Sequence, residues 1–304
     1  MAMFVFPETP WCAPRSIPGG SCDDAVVLTE ASEQVIYDIY DALAEAFPDQ
    51  IKKQVMGEVM SHKINRYTIM PRKALWHRIP VVTLLHGREA GCAWTAAHFF
   101  RLLLLEDDPR LDILRNHVCF DVIPVANPWG FAHDLRKNAN GIDLNRNFAP
   151  DFVYDRDPES SEYGGPFPGS ETETQVLMQL LEENKDATVV LDYHNVGNRY
   201  PLFYTYGGPE VQLAETVFPA LTKKWQQDYP QLRDVPALGL HKPNGHEGMF
   251  ADYIISKGLW ALTMETPMTM PGLSQTKFDT PTIHISLEVL VNTLLTITAS
   301  MPKK

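Results

Sequence analysis

Three shortages narrow the field. No stretch of the chain reaches the roughly 18 apolar residues that a membrane-spanning helix needs, so a bilayer is not an expected partner. Positive charge is in deficit: 26 Lys and Arg stand against 38 Asp and Glu, a formal net charge of −12. Such a surface repels phosphate backbones and anionic lipid, which argues against nucleic acid and membrane as partners. Cysteine is scarce, four in 304 residues, and no pair has zinc-finger spacing. Cys92 and Cys119 lie among small or apolar neighbours and read as buried small hydrophobes. Cys12 and Cys22 would close a short loop if paired, but nothing else in the chain argues for an oxidising compartment.

The start, MAMFVFPETPW, has no basic lead and meets proline at once, so it does not read as a signal peptide. A soluble, cytoplasmic protein is expected unless a leader has been trimmed. There is no internal repeat and no Gly/Ser linker. The length suits one large domain or two small ones.

Residues 1–30, rich in Pro, Gly and Ser, read as an irregular arm, and 31–304 as one catalytic domain. Residues 31–47 show helical spacing, with Val35, Ile36, Ile39, Leu43 and Phe47 on one side. Residues 52–70 suggest a strand pair, and the apolar run 79–85 (IPVVTLL) a central strand. A helix is expected at 90–106, a strand at 117–125, and a helix at 171–185. Strands follow at 187–193 and 201–206, then a helix at 209–227 and a loop-like stretch at 231–246. Helix 247–257, strand 259–264 and a last helix at about 283–299 complete the order. Alternating strands and helices predict a single α/β domain with a mixed, largely parallel sheet covered on both faces. Ligands bind such sheets at the carboxyl ends of the strands.

Chemistry-bearing residues fall at those ends. His86 and Glu89 (His86-Gly87-Arg88-Glu89) follow strand 79–85, and His194 follows strand 187–193. Two histidines and a glutamate form a catalytic zinc set that leaves a position for water. Either half alone reads more readily as an ordinary surface pair or a strand-end histidine. Their joint placement at two strand ends points to a metal. The long segment 126–170 has little periodicity, and loops of that length are usually functional. Between residues 127 and 147 it holds two arginines and five asparagines. Asn145 beside Arg146 would clamp a carboxylate, and Arg136 could stabilise an oxyanion.

Six segments in chain order resemble the zinc carboxypeptidase (funnelin) family: HGRE (86–89), NPWG (127–130), RKNANGIDLNRNF (136–148), GGPFPGSETET (164–174), LDYHN (191–195) and TMETP (263–267). The resemblance covers about residues 50–295. It implies an eight-stranded mixed sheet with one Zn2+ held by His86, Glu89 and His194. Arg136 would polarise the scissile carbonyl, Asn145 and Arg146 would grip the terminal carboxylate, and Glu265 would be the base acting on a metal-bound water. The substrate would be a peptide or small amide with a free carboxylate. A strand-end Glu265 would be partly desolvated, which raises its pKa toward a useful range.

Two departures stand out. Residues 231–252 contain no tyrosine where many members carry one that closes over substrate, and His241 and His246 are the polar candidates for that role. Met249, Phe250, Ala251 and Asp252, in the region that sets specificity, offer no clear charged selector, and Asp252 could instead brace the helix. Asp134, Asp143 and Asp192 are candidate partners for a metal histidine. Zinc deacylases of N-acyl amino acids (aspartoacylase and succinylglutamate desuccinylase type) share the ligand set. The full NANGIDLNRNF stretch favours the peptidase, and the presence of every ligand and the glutamate argues against a non-catalytic binding module.

Overall fold

The computed structural model describes residues 26–27, 33–196, 202–204, 218–228, 239–241, 247–267, 277–278 and 280–303. Cys12, Cys22 and His246 lie outside the described residues. Strand β1 (Val26–Val27) falls within the expected arm and pairs with β10 (Lys277–Phe278). Helix α1 (Glu33–Ala46) buries Ile36, Tyr37, Ile39, Tyr40 and Leu43. Val35, expected on that side, is exposed. The helix is turned to seat its tyrosines against Tyr67, with the Tyr40 and Tyr67 rings stacked at 4.9 Å.

Strands β2 (Ile51–Val59) and β3 (His62–Ile69) form an antiparallel hairpin. Then come β4 (His77–Thr83), α2 (Ala90–Leu105), α3 (Asp112–His117), β5 (Val118–Ile123) and the short α4 (Pro128–Ala132). Helix α5 (Thr172–Glu183) leads to β6 (Val190–Val196) and β7 (Leu202–Tyr204). Helix α6 (Phe218–Asp228) and β8 (Gly239–His241) follow, the latter in a stretch expected to be loop. The chain ends with α7 (Phe250–Ser256), β9 (Ala261–Pro267) and α8 (Thr280–Ser300).

One sheet runs β2-β3-β5-β4-β6-β9-β7-β8. Six of its strands have six to nine residues, whereas β7 and β8 have three each. The junctions β5–β4, β4–β6 and β6–β9 are parallel. The pair β7–β8 is also parallel, but β2–β3, β3–β5 and β9–β7 are antiparallel. The sheet is therefore mixed, and "largely parallel" describes its centre only. Hairpin connection of β2 and β3 makes that edge antiparallel, since short turns cannot join parallel strands.

Both faces of the central strands are buried, and neighbouring residues divide between them. Val81, Val122, Leu191 and Leu262 pack with α1, α2 and α8. Val82, Ile123, Val190 and Ala261 pack with α5 and α7. This two-sided burial explains why β4 reads as one apolar run rather than an alternating one. No helix among the described residues is long and apolar enough to cross a membrane.

Candidate active site

The parallel strands β4, β6 and β9 deliver their groups to one edge of the sheet. His86 lies three residues beyond β4, and Glu89 immediately precedes α2. The expected strand ends are too early on the other two strands. His194 lies within β6 and Glu265 within β9, and the two are register partners. That pairing, invisible in the sequence, sets the base candidate beside a ligand candidate.

His86, Glu89 and His194 are buried, and one donor atom from each lies within 4.8 Å of the others. Glu89 bridges the rings: Oε1 is 2.8 Å from His86 Nδ1, and Oε2 is 2.8 Å from His194 Nδ1. The outer nitrogens are anchored to aspartates. His86 Nε2 donates to Asp143 Oδ1 at 3.2 Å, and His194 Nε2 donates to Asp192 Oδ1 at 2.9 Å. Both aspartates are fully buried. Such carboxylates fix the ring orientation and aim the inner nitrogens at one point. Of the three aspartates considered as partners, Asp143 and Asp192 serve. Among the described residues the outer ring nitrogens meet these two and not Asp134.

The local fold leaves Glu89 available. It sits at the N-cap of α2, yet its side chain makes no capping bond. Asn195 of β6 serves that end instead, its Oδ1 accepting from the Cys92 backbone N–H at 2.5 Å. The Cys92 thiol donates to the Glu89 carbonyl at 3.0 Å, so this buried cysteine packs against the ligand turn. The helix N-terminus also favours a negative side chain there. Asn127, quoted in the sequence only as part of NPWG, caps α4 by accepting from the Gly130 N–H at 2.9 Å. Its amide reaches the Leu85 and Arg136 carbonyls at 3.5 and 3.4 Å, tying the ligand turn to the arginine loop.

Charges are tightly coupled. Burial pushes the Glu89 carboxyl up, but the two imidazoles outweigh it and hold the group well below the usual carboxylate range. Burial pushes His86 and His194 down, but the flanking carboxylates outweigh that and raise both. A proton and a metal ion therefore compete for the same inner nitrogens. Glu265 goes the other way. Burial, opposed by His194, lifts it to about 7. Its Oε2 is buried and has no hydrogen-bond partner among the described residues.

Arg136 is held by Asp143, with Nε and Nη2 at 2.9 and 2.8 Å from Oδ2. This turns Nη1 toward the ligand cluster, 3.3 Å from His86 Nδ1 and 4.0 Å from Glu89 Oε1. Asn145 Oδ1 accepts from the Phe250 N–H at 2.9 Å and anchors α7. Arg146 Nη2 donates to Glu162 Oε1 at 2.8 Å, and Nη1 to the Asn145 carbonyl at 2.9 Å.

A family model for zinc carboxypeptidases matches residues 36–287. The chain belongs to the zinc carboxypeptidase family. Its metal cofactor is zinc, and the buried His-Glu-His cluster is a donor set that suits that ion. Murein peptide amidase A of Escherichia coli (strain K12) is 32% identical over 165 residues, 51% of this chain and 59% of that protein. Carboxypeptidase A4 of Mus musculus is 25% identical over 198 residues, 57% of this chain and 46% of that protein. The chain thus spans about half the length of these curated relatives. A crystal structure of carboxypeptidase A from Helicoverpa armigera superposes with a TM-score of 0.68 at 20% identity, covering 92% of this chain and 76% of that one. These neighbours establish the carboxypeptidase-like fold.

The His241 backbone lies in β8. Tyr253 is buried in α7, its ring 5.7 Å from that of Phe148, so it belongs to the core rather than to a closing loop. Asp252 does brace the helix, its Oδ2 accepting from the Met249 N–H at 3.2 Å. Phe250 and Ala251 are fully buried.

Proposed function

We propose that the chain is a zinc-dependent carboxypeptidase that hydrolyses the C-terminal peptide bond, or a peptide-like amide bond, of a substrate with a free carboxylate. The observation that carries this reading is the juxtaposition across β6 and β9. Glu265, with an unpartnered oxygen and a pKa lifted to about 7, faces the cluster through His194.

In this reading His86, Glu89 and His194 hold the ion. When bound, zinc supplies Lewis acidity that acidifies a water and polarises a carbonyl. Glu265 accepts the proton released as water attacks the amide carbon, then delivers it to the departing amine. Its buried, unpartnered Oε2 beside His194 places it for both transfers. Arg136 offers Nη1 to the developing oxyanion, because Asp143 occupies its other edge. Asn145 and Arg146 receive the terminal carboxylate. The relative named a murein peptide amidase supports including peptide-like amides among the substrates.

The test is Glu265→Gln. The variant should keep zinc at the wild-type stoichiometry and lose at least about a hundredfold in kcat, the scale of general acid–base catalysis. Unchanged turnover would remove Glu265 from the reaction.

A further inference from the structure

Arg146 and Arg156 share two carboxylates. Glu162 accepts from Arg146 Nη2 at 2.8 Å through Oε1 and from Arg156 Nη1 at 2.7 Å through Oε2. Glu247 Oε2 accepts from Arg156 Nη2 at 2.6 Å and lies 3.5 Å from Arg146 Nε. The four side chains close a ring of alternating charge.

The backbone builds this ring from two sides. Gly248, next to Glu247, has φ +73°, and its carbonyl accepts from the Phe148 N–H at 2.9 Å. A Cβ there would stand 2.8 Å from the Arg146 carbonyl oxygen. Gly164, two residues beyond Glu162, comes closer still, since its Cβ would meet the same oxygen at 2.3 Å. Only glycine permits approaches this tight. Both glutamates are therefore pinned against one arginine.

The guanidinium groups are mostly covered, with side chains 15% and 14% exposed, whereas Glu162 and Glu247 are 44% and 41% exposed. The ring is neutral, but its solvent side is acidic. Burial pushes Glu162 up, and the two arginines outweigh that and hold it below the usual range, so it stays ionised. A substrate carboxylate added at Arg146 would leave the assembly with one surplus negative charge. The terminal residue's side chain springs from the same Cα as that carboxylate. A cation on it meets two glutamates with lone pairs to spare, whereas a second carboxylate meets like charge.

We infer that Glu162 and Glu247 select the charge of the substrate's terminal residue, favouring a lysine- or arginine-type side chain over an acidic one. This rests on the carboxypeptidase reading and on the role it gives Arg146. A half-exposed ion pair is worth up to about 1 kcal/mol, a factor of about five. Two attractive pairs in one case and repulsion in the other make about tenfold a reasonable spread.

The experiment compares kcat/KM for three peptides of one body ending in Lys, Leu or Glu. The expected order is Lys, Leu, Glu, with about tenfold between the ends. That spread should shrink toward one at 0.5 M NaCl, where screening is short-ranged, and in the Glu162→Gln/Glu247→Gln protein. Calorimetry on the zinc-loaded wild-type protein with free lysine and free glutamate, the two products, should show the same order without turnover. If the glutamates only brace Arg146, the double variant lowers all three peptides by one factor and the ratio persists, which overturns the inference. Equal rates and equal binding in the wild type overturn it too, while leaving the carboxypeptidase reading in place. Failure to release any of the three terminal residues removes that reading itself. The salt series and calorimetry need no variant, so they decide the matter even if the double variant does not fold.

Discussion

Asp143 ties three parts of the site together, bonding His86, Asn145 and Arg136. Its Oδ1 accepts from His86 Nε2 at 3.2 Å and from the Asn145 N–H at 3.0 Å, and its Oδ2 accepts from two nitrogens of Arg136. Asparagine offers one acceptor oxygen in place of two. It can serve either His86 and Asn145 or Arg136, and it turns an N–H donor toward the other set. His86 is buried, whereas the Arg136 side chain is 24% exposed and can be met by water. The remaining oxygen should therefore stay with His86. Loss of a carboxylate behind a metal histidine weakens metal affinity by about 10- to 100-fold, or roughly 1.4–2.7 kcal/mol. Asp143→Asn should sit near the lower figure and Asp143→Ala near the upper. Competition against a chelator of known zinc affinity, at fixed pH, measures both. Turnover should fall further than zinc occupancy in Asp143→Asn, because Arg136 loses its anchor. Zinc affinity within twofold of wild type in both variants would refute the reasoning that Asp143 orients His86.

Other expectations are equally concrete. Glu173 is buried beside Glu171, with Asn138 bonding both, and burial chiefly raises it from 4.5 to about 7. Between those values the folded state holds a proton that the unfolded state has released, so stability falls as pH rises through that window and stays low above it. The cost is about 3 kcal/mol. Denaturant unfolding at pH 4.5 and 8 should show Glu173→Gln gaining roughly that much on wild type at the higher pH, and parallel profiles would count against it. Arg146→Gln should raise KM for a peptide with a free carboxylate by about tenfold or more, with a smaller change in kcat, as steady-state kinetics would show. Tyr253→Phe should leave hydrolysis within about twofold, since that ring packs in the core. A large loss of kcat would mean that Tyr253 reaches the substrate.

The grouping of His86, Glu89 and His194 was legible because its members lie in short motifs beside apolar runs that mark strands. The exact strand limits were not. His194 and Glu265 are expected just past the ends of their strands, yet β6 and β9 continue through both. His194 can remain in a buried strand because Glu89 and Asp192 satisfy both ring nitrogens. The pairing of His194 with Glu265 depends on register between strands about 70 residues apart, which periodicity does not encode. The Arg146–Glu162–Arg156–Glu247 ring was also hidden. Three of its members lie in the aperiodic segment 126–170 and the fourth just before α7, and only close backbone approaches at Gly164 and Gly248 bring them together. Helix α1 was placed correctly but turned wrongly at Val35, because the two tyrosines claim the buried side.

The central claim joins a zinc site to a carboxylate-reading peptidase. The most direct measurement is release of the terminal amino acid from one peptide prepared with a free and with an amidated C-terminus, assayed after chelation and again after adding one equivalent of zinc. The account predicts release from the free form alone, abolished by the chelator and restored by zinc. Zinc-independent release, equal cleavage of the amidated peptide, or cleavage confined to N-acyl amino acids would contradict it.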